Sequence, residues 1–295
     1  MKIGMILDAI YPSDARVTNE CEELIKNGHE VYLFCLSYQK NYIKSEMLNG
    51  IKVRRYYCSS LTYKLSALAN DFPFYSILMK SKIKDFVIKN NIDRMHIHDI
   101  QIAKAAVAIC KKYNLKYTLD LHENRHEIMK SYKHVNSFLG KLLISVKRWK
   151  KAEEEYVSKA EKVIVVTNQA KKEIIKRCKI SNDNVVVYPN TVRKSFYQNK
   201  DYDHELKKKY ANNYVLLYIG NTSERRGLDT VLDSMISLSK EVPEIKLIII
   251  GKSSYDHKIK SKIKKLKISS LVDFVGWQKE EDLYKYLLIS DIGLS

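Results

Sequence analysis

The sequence lacks the features that mark a membrane-spanning, secreted or disulfide-rich chain. Apolar runs such as Leu247–Ile250 fall far short of the roughly 18 residues needed to cross a bilayer. The N-terminus, MKIGMILD, has no long apolar core of the kind found in a secretion signal, and it is typical of a buried first strand. Five cysteines, an odd number without a C-x-x-C pair, favour a reducing cytoplasm over a disulfide scaffold or a zinc site.

The remaining composition is that of a folded protein with room for two domains. Apolar residues make up 45% and charged residues 29% of the 295 residues, which excludes a disordered chain and a fibrous repeat. Only nine glycines and four prolines accompany abundant lysine, isoleucine, asparagine and tyrosine. This bias indicates an AT-rich genome, in which lysine replaces arginine on ordinary solvated faces.

The net charge of +18 is concentrated in the middle of the chain. Residues 51–200 carry 31 basic and 13 acidic groups and account for the whole excess. This asymmetry predicts an anionic partner, which is nucleic acid, an acidic membrane or a phosphorylated acceptor. The alternative explanation is the compositional bias itself. Nucleic acid is the least favoured partner, because no recognisable nucleic-acid-binding motif accompanies the charge.

Short β-rich apolar runs alternate with longer helical patterns, which predicts an α/β fold with parallel sheets. The alternation stops at 189–203, where polar residues indicate a linker, and then begins again. We therefore predict two Rossmann-like, doubly wound parallel-sheet domains with a cleft between them. The predicted strands are Lys2–Leu7, Glu30–Leu36, Lys52–Tyr56, Arg94–His98, Tyr117–Leu121, Val163–Val166, Val185–Tyr188, Tyr214–Ile219, Lys246–Ile250, Leu271–Val275 and Ile292–Leu294, and the predicted helices include Arg16–Asn27, Ile100–Lys112, Phe138–Val157, Gln169–Lys176, Leu228–Lys240 and Glu280–Ile289.

Polar residues follow several predicted strands, and in doubly wound sheets ligands bind beyond the carboxyl ends of the strands. The first strand is followed by Asp14 and Arg16, at the start of a helix. An N-cap role for Asp14 is favoured over a catalytic one, because aspartate is a preferred N-cap residue.

Two histidines and three carboxylates follow two later strands that we expect to be neighbours. His98 and Asp99 end one strand, and Asp120, His122 and Glu123 end the next. Each histidine is as consistent with a structural role as with a functional one. An imidazole here can serve as a general base, an acceptor clamp or a transition-state stabiliser. No tight ligand spacing supports a metal site, so none is expected.

The second domain begins with a strand that ends at Gly220, followed by a polar loop. Arg225 and Arg226 lie in this loop, directly before the helix that begins at Gly227. Paired guanidiniums at a helix N-terminus suit a diphosphate, and the alternative is an arginine pair on a solvated turn. Neither the P-loop motif nor G-x-G-x-x-G is present.

Two further turns are expected at the same edge of the second sheet. One is Gly251–Lys252, and the other is Gly276–Trp277, which could receive a planar base. Packing of Trp277 in the core is an equally good interpretation. The stretch KIKSKIKKLK predicts a solvated helix with its apolar residues turned inward.

Taken in order, these motifs resemble family 4 glycosyltransferases of the GT-B fold. They are YPSDAR with a following GHEV, DLHE, VVVYPN, YIGN…RRGLDTVLDSM and LVDFVGW…LYKYLLISDIGL. The DxHE and RG variants are similar to members that build bacterial surface polysaccharides. The resemblance implies transfer of a sugar, with retention and without a metal or cofactor, from a UDP- or GDP-linked donor to a lipid-linked or polysaccharide acceptor.

The resemblance also implies roles for individual residues. Residues 1–195 would form the acceptor-side domain, and residues 196–295 a partial nucleotide-sugar-binding domain. His122 would lie beside the transferring sugar, with Asp120 and Glu123 around it. Asn190 would belong to the hinge. The donor-binding residues would be Gly220, Asn221, Arg225, Arg226, Gly227, Gly251, Lys252 and Trp277. The acceptor-side residues would be Asp14, Arg16, His98 and Asp99. Asn221 stands where many members have an arginine, so Arg225 would bind the phosphates together with Arg226.

The family continues past SDIGLS with a loop and helix that carry two glutamates, which this sequence does not contain. We therefore expect an incomplete second domain, in a fragment or in a split or decayed form of the enzyme. Two other functions stay open, namely a non-catalytic nucleotide-sugar-binding or interaction remnant and a nucleotide-sugar epimerase. The protein is expected in the cytoplasm, peripheral at the inner face of the membrane, with Ser137–Lys151 on anionic lipid.

Overall fold

The computed structural model describes residues 1–12, 14–192, 196 and 203–295. The chain divides into two compact units, Met1–Thr191 and Val192–Ser295, where the sequence predicted domains 1–195 and 196–295. Most of the predicted linker, residues 193–195 and 197–202, lies outside the described residues.

The first unit is built on a largely parallel sheet. Its strands are β1 (Lys2–Ile6), β2 (Glu30–Ser37), β3 (Ser45–Leu48), β4 (Ile51–Tyr57), β5 (Arg94–His98), β6 (Lys116–Leu121), β7 (Lys162–Val165) and β8 (Val185–Val187). Their spatial order is β3-β4-β2-β1-β5-β6-β7-β8, and the β3–β4 pair is antiparallel while the other pairs are parallel.

Helices cover both faces of this sheet, as the doubly wound prediction requires. They are α1 (Ala15–Lys26), α2 (Ser60–Lys64), α3 (Phe74–Asn90), α4 (Ile100–Tyr113), α5 (Arg125–Met129), α6 (Lys133–Asn136), α7 (Phe138–Leu143), α8 (Val146–Lys159) and α9 (Asn168–Cys178), with 3-10 turns at Leu65–Leu68 and Asn182–Asn184.

Strand β2 shows why the buried runs form strands without alternation of polar and apolar residues. Phe34 packs in one core with Met79 of α3, while its neighbour Leu33 packs in another core with Val17 and Cys21 of α1. Successive side chains of a strand point to opposite faces, so a strand between two helical layers buries both. The predicted sheet buried on both faces is thereby confirmed.

One predicted helix, Phe138–Val157, is wrong as a single element. The structure has α7 and α8 instead, separated by Ile144 and Ser145. The Ser145 side chain accepts a hydrogen bond from the backbone N–H of Arg148 at 3.3 Å, and the Ser145 N–H donates to Asp71 Oδ1 at 3.0 Å. A serine N-cap fixed by a distant carboxylate ends the helical run, which the local pattern could not reveal.

The second unit is a smaller parallel α/β layer. Its strands β9 (Tyr214–Ile219), β10 (Ile245–Ile250), β11 (Val272–Gly276) and β12 (Ile292–Leu294) lie in the order β11-β10-β9-β12. Ile259 and Ile263 are buried, which confirms the apolar face predicted for KIKSKIKKLK. Its helices are α10 (His204–Tyr210), α11 (Leu228–Glu241), α12 (Asp256–Lys265) and α13 (Glu280–Leu288), with a 3-10 turn at Glu224–Arg226.

Within the described residues, no helix has both the length and the apolar character that a membrane span requires.

Candidate functional site

The carboxyl ends of β5 and β6 bring the predicted histidines and carboxylates together. His98 and Asp120 are register partners on these parallel strands, and His122 follows β6 by one residue. His122 Nε2 lies 2.9 Å from Asp120 Oδ2, and His98 Nδ1 lies 3.2 Å from the same oxygen. Asp120 is fully buried, so both imidazoles meet a carboxylate shielded from water.

Helix α1 contributes an arginine to the same carboxylate. Asp14 is the N-cap, as predicted, since its side chain accepts from the N–H groups of Arg16 at 3.0 Å and Val17 at 3.2 Å. The cap starts the helix so that Arg16 points at Asp120, to which its Nε and Nη2 donate at 2.9 and 2.7 Å. This two-pronged geometry is the strongest form of arginine–carboxylate pairing.

These contacts set the charges of the cluster. Burial raises the pKa of Asp120, but hydrogen bonds from His122, His98 and Arg16 outweigh it and hold that pKa well below its usual range. Burial lowers the pKa of His122, but the hydrogen bond to Asp120 and the charges of Asp99 and Asp14 raise it to about 9. His122 is therefore an imidazolium at neutral pH, which favours hydrogen-bond donation over the general-base role among the predicted alternatives.

His98 lies behind His122 and carries no charge. It is 1% exposed, and burial lowers its pKa. A neutral His98 that donates from Nδ1 to Asp120 leaves Nε2 without a proton, and this buried atom has no hydrogen-bond partner among the described residues. The structure thus places His98 as a support of Asp120.

Asp99 has an unusual backbone conformation at the start of α4. Its φ of 64° and ψ of 160° lie in a region that residues other than glycine rarely occupy, and such strain is typical of functional sites. Its Oδ1 accepts from the His122 backbone N–H at 3.3 Å, and its Oδ2 is 3.7 Å from His122 Nδ1. The predicted residue Glu123 forms an ion pair with Arg125 at 2.9 Å.

A cleft of about 320 Å³ opens over these residues within the first unit. The His122 side chain is 17% exposed and is the imidazole of the pair that the cleft can reach. The predicted hinge residue Asn190 lines the same cleft. The cleft is lined by Asp14, Ala15, Arg16, Asn19, His122, Tyr188, Pro189, Asn190 and Thr191.

Two buried partners of this cluster, Glu20 and His96, were not predicted from the sequence. With His98 and Asp120 they place four potential metal-ligand atoms within 4.8 Å of one another. Arg16 Nε, however, lies 3.3 Å from Glu20 Oε1 and also donates to Asp120. The guanidinium already supplies the positive charge that both carboxylates require, so the set fits a salt-bridge network better than a metal site. The available signals were the i, i+4 spacing of Arg16 and Glu20 and the i, i+2 spacing of the histidines.

A further buried carboxyl, Asp8, follows β1 and was also missed. It accepts a hydrogen bond from the Tyr75 hydroxyl, and its Oδ2 is a buried oxygen without a partner among the described residues. Burial raises its pKa to about 7. Nothing in the sequence around Asp8 separates this residue from an ordinary strand-end aspartate.

In the second unit, the loops after β9, β10 and β11 are tied to one another. Gly220 N–H donates to Ile250 O at 2.9 Å, and Gly251 N–H donates to Gly276 O at 2.9 Å. Gly251 has φ of +155°, and a Cβ there would lie 1.8 Å from Gly220 O, so only glycine fits. The fully buried Thr222 hydrogen-bonds to Ser253 Oγ at 3.1 Å and to Asp256, which fixes the first two loops together.

The two predicted phosphate-binding arginines lie exposed on the 3-10 turn Glu224–Arg226. Within the described part of the chain, neither Arg225 nor Arg226 enters an ion pair. Gly227, at φ of 74°, then leads into α11, whose first N–H groups point back toward this turn. The turn therefore offers two free guanidiniums beside a helix N-terminus, the combination that binds phosphate oxygens.

The other predicted donor residues lie at the surface of the same unit. Asn221 and Lys252 are exposed, and Asn221 Oδ1 accepts from the Ser223 N–H at 2.9 Å. Trp277 is 65% exposed, so the interpretation of this side chain as core packing is wrong. Its role in binding a base stays a prediction.

Comparison with known proteins covers nearly the whole chain. Residues 15–196 match the family described as Glycosyltransferase Family 4, and residues 199–294 match that described as Glycosyl transferases group 1. Group 1 enzymes take nucleotide-sugar donors and require no cofactor. The alpha-monoglucosyldiacylglycerol synthase of Acholeplasma laidlawii is 21% identical and aligns with 100% of this chain and 74% of its own. An uncharacterized glycosyltransferase of Methanocaldococcus jannaschii is 25% identical over 73% of this chain and 52% of its own.

Solved structures of low sequence identity share the fold. Sucrose-phosphate synthase from Thermosynechococcus elongatus superposes with a TM-score of 0.77 at 15% identity, over 99% of this chain and 74% of that one. A glycosyltransferase from Rickettsia africae gives 0.65 at 19% identity, over 100% and 72%. The predicted α/β fold of GT-B type is thereby confirmed. Because the family match spans well over half of the sequence, the chain belongs to glycosyltransferase family 4.

Proposed function

We propose that this glycosyltransferase moves a sugar, with retention, from a UDP- or GDP-linked donor to a lipid-linked or polysaccharide acceptor. The observation that carries the proposal is the imidazolium of His122, which is paired with Asp120 and lines an open cleft. A relative that spans the whole chain is named for the synthesis of a glucosyl diacylglycerol, which supports a lipid acceptor.

The two units would divide the chemistry of the transfer. Cleavage of the anomeric bond builds positive charge on the sugar ring and negative charge on the departing diphosphate. Arg225, Arg226 and the N-terminus of α11 would stabilise the diphosphate, a task that fixed positive groups perform without a metal ion. His122 would donate a hydrogen bond to the transferring sugar, with Asp120 and Glu123 around it.

Two observations suggest that the acceptor is reached at a membrane surface. Helix α7 exposes Phe138, Leu139 and Leu142 by 86%, 64% and 71%. Exposed lysines accompany them, with Lys141 between Leu139 and Leu142 and Lys147 early in α8. Exposed apolar groups beside basic ones are typical of peripheral binding to anionic lipid. Trp149, which lies in the stretch predicted to contact lipid, is instead buried in the core, where its Nε1 donates to Asp71 Oδ2 at 2.9 Å.

The surface extends beyond the stretch expected from the sequence. Phe74 and Ile77, at the start of α3, are 59% and 58% exposed. Asp71 lies just before them and binds Ser145 N–H at 3.0 Å and Arg148 Nε at 2.8 Å. These bonds hold the start of α3 close to the end of α7. We propose that this combined surface lies on the inner face of the cytoplasmic membrane, a location consistent with five free thiols.

The test is incubation of the purified protein with UDP- and GDP-sugars, in the presence and absence of diacylglycerol in vesicles or of a polysaccharide acceptor. Acceptor-dependent release of UDP or GDP, with a glycosylated product of unchanged anomeric configuration, supports the proposal. Sugar interconversion without acceptor would instead identify an epimerase. If the protein neither binds nor turns over any of these donors, the non-catalytic alternative is identified. Cosedimentation with anionic vesicles no better than with neutral ones would remove the membrane part.

A further inference from the structure

Arg16 joins three separate elements of the first unit through one buried side chain. It projects from the first turn of α1, and its side chain is 6% exposed. Its Nε and Nη2 bind Asp120 of β6 at 2.9 and 2.7 Å, and its Nη1 donates to Tyr188 O at 2.6 Å and to Asn190 Oδ1 at 2.9 Å. The last two groups lie beyond β8, in the segment just before the end of the first unit at Thr191.

The segment at 188–190 is also held by a backbone hydrogen bond. The Tyr188 N–H already donates to Val165 O at 2.8 Å and so continues the β7–β8 pairing. The Arg16 guanidinium also lies 4.9 Å from the centre of the Tyr188 ring, and Glu20 Oε1 lies 3.3 Å from its Nε. A planar guanidinium held on all sides keeps its donors at fixed angles. A shift of the segment at 188–190 must therefore rotate the guanidinium or break one of its bonds.

A rotation of the Arg16 guanidinium would move the Asp120 carboxylate and, with it, the His122 imidazole. Both Arg16 and His122 bind the Asp120 carboxylate, and His122 Nε2 is 2.9 Å from its Oδ2. The other titratable groups that face His122 are His98 from β5, Asp99 from the start of α4 and Asp14 from the start of α1. Among the described residues, none of these three forms a hydrogen bond or ion pair with the 188–190 segment, whereas Arg16 donates two hydrogen bonds to it.

We propose that Arg16 is a positioning residue that couples the geometry of the 188–190 segment to the orientation of His122. The kinetic consequence rests on the proposed function, but the coupling itself does not. Both the segment and His122 line the cleft, so the coupling makes the imidazole respond to the position of the segment. A lysine at position 16 would keep the charge beside Asp120 but could not bridge to both partners.

A double-mutant cycle tests this coupling without substrate. Asn190→Ala removes one acceptor of Arg16 and leaves Asp120 untouched, while Arg16→Lys keeps the charge and removes the bridge. The His122 imidazole is followed by NMR titration of histidine-labelled protein. We expect Asn190→Ala to shift the His122 resonance and its pKa in the wild-type background and to have no further effect in the Arg16→Lys background. Asn182→Ala, an exposed asparagine on the approach to β8, is the control and should change neither.

Kinetics provide the second arm if the chain is active. Arg16→Lys should lower kcat by about tenfold or more with little change in the donor KM, because His122 is misplaced while the donor loops are intact. Additive effects of the two substitutions on His122, or an Asn190→Ala variant with an unchanged His122, would overturn the coupling. Urea unfolding of each variant identifies general destabilisation, which would move all histidines of the first unit together. Loss of all turnover in the wild type would refute the proposed function while the NMR result stands.

Discussion

His122 Nε2 lies 2.9 Å from Asp120 Oδ2, so an imidazole that the cleft can reach is paired with a carboxylate that water cannot reach. The two residues have separate roles: buried Asp120 keeps His122 protonated, and the more exposed His122 carries that positive charge to the cleft. The pairing also links the site to the stability of the first unit, because the pKa of His122 is raised to about 9 in the folded state.

The first prediction is a pH-dependent loss of stability that depends on His122. A histidine whose pKa is raised on folding contributes its full stabilisation below its unfolded pKa, near 6.5, and loses it as the pH rises through about 9. The contribution is on the order of 3 kcal/mol. We expect the urea unfolding free energies of wild type and His122→Gln to differ most below about pH 6.5, to differ less as the pH rises, and to converge at about pH 10. A constant difference across that range would contradict the prediction.

The second prediction concerns removal of the central carboxylate. Asp120→Asn leaves Arg16 and His122 without their buried counter-charge. Breaking one side of a buried ion pair costs about 3–5 kcal/mol, so we expect a loss of that size in urea unfolding. The pKa of His122 should fall at the same time, because its strongest hydrogen-bond acceptor is gone. Asp183→Asn, at an exposed position, is the control, and equal losses in both variants would contradict the interpretation.

The third prediction tests the close approach of the donor loops. In Gly251→Ala, the new Cβ would lie 1.8 Å from Gly220 O, at a φ of +155° that side chains rarely adopt. We expect the second unit to lose about 2 kcal/mol or more of stability and to bind UDP more weakly. Gly293→Ala is the matched control, since a Cβ there has open space and should be tolerated. Similar behaviour of the two alanine variants would show that the loops can move apart freely.

The fourth prediction concerns the free guanidinium of Arg226. Loss of a charge-assisted phosphate contact costs about 1.5–3 kcal/mol, which is roughly a 10- to 150-fold weaker affinity. Calorimetric titration of Arg226→Ala with UDP and GDP should show this loss for whichever nucleotide the wild type binds. Lys240→Ala removes a positive charge from the far end of the helix Leu228–Glu241 and should leave the affinity unchanged. An unchanged affinity in Arg226→Ala would exclude this arginine from the phosphate site.

The sequence predicted every strand of the two sheets except β3, because strands buried on both faces appear as continuous apolar runs and the half-exposed β3 does not. It also predicted the meeting of His98, His122 and Asp120, since neighbouring parallel strands end at one edge. It did not predict α3, whose apolar residues are distributed around the helix, with Ile77 exposed and Met79 buried. The contact of Arg16 with Asp120 was missed for a different reason. The two residues are 104 positions apart, and no local pattern specifies such a pairing.

The fifth prediction addresses the exposed apolar surface of α7. Phe138 and Leu142 are 86% and 71% exposed, and each apolar side chain moved from water into a bilayer interface contributes about 1–2 kcal/mol. Phe138→Ser and Leu142→Ser should therefore each weaken binding to anionic vesicles at least about tenfold. Neither variant should lose folded-state stability, because neither side chain is in the core. Ile43→Ser serves as the control, because Ile43 is 63% exposed but precedes the basic region 51–200, and this variant should bind as wild type does.

Added salt should weaken the binding of wild type and of both α7 variants alike, because the lysines are unchanged and their attraction to lipid headgroups is screened. If the serine substitutions leave vesicle binding intact while salt abolishes it, the attraction is electrostatic alone and α7 does not enter the membrane.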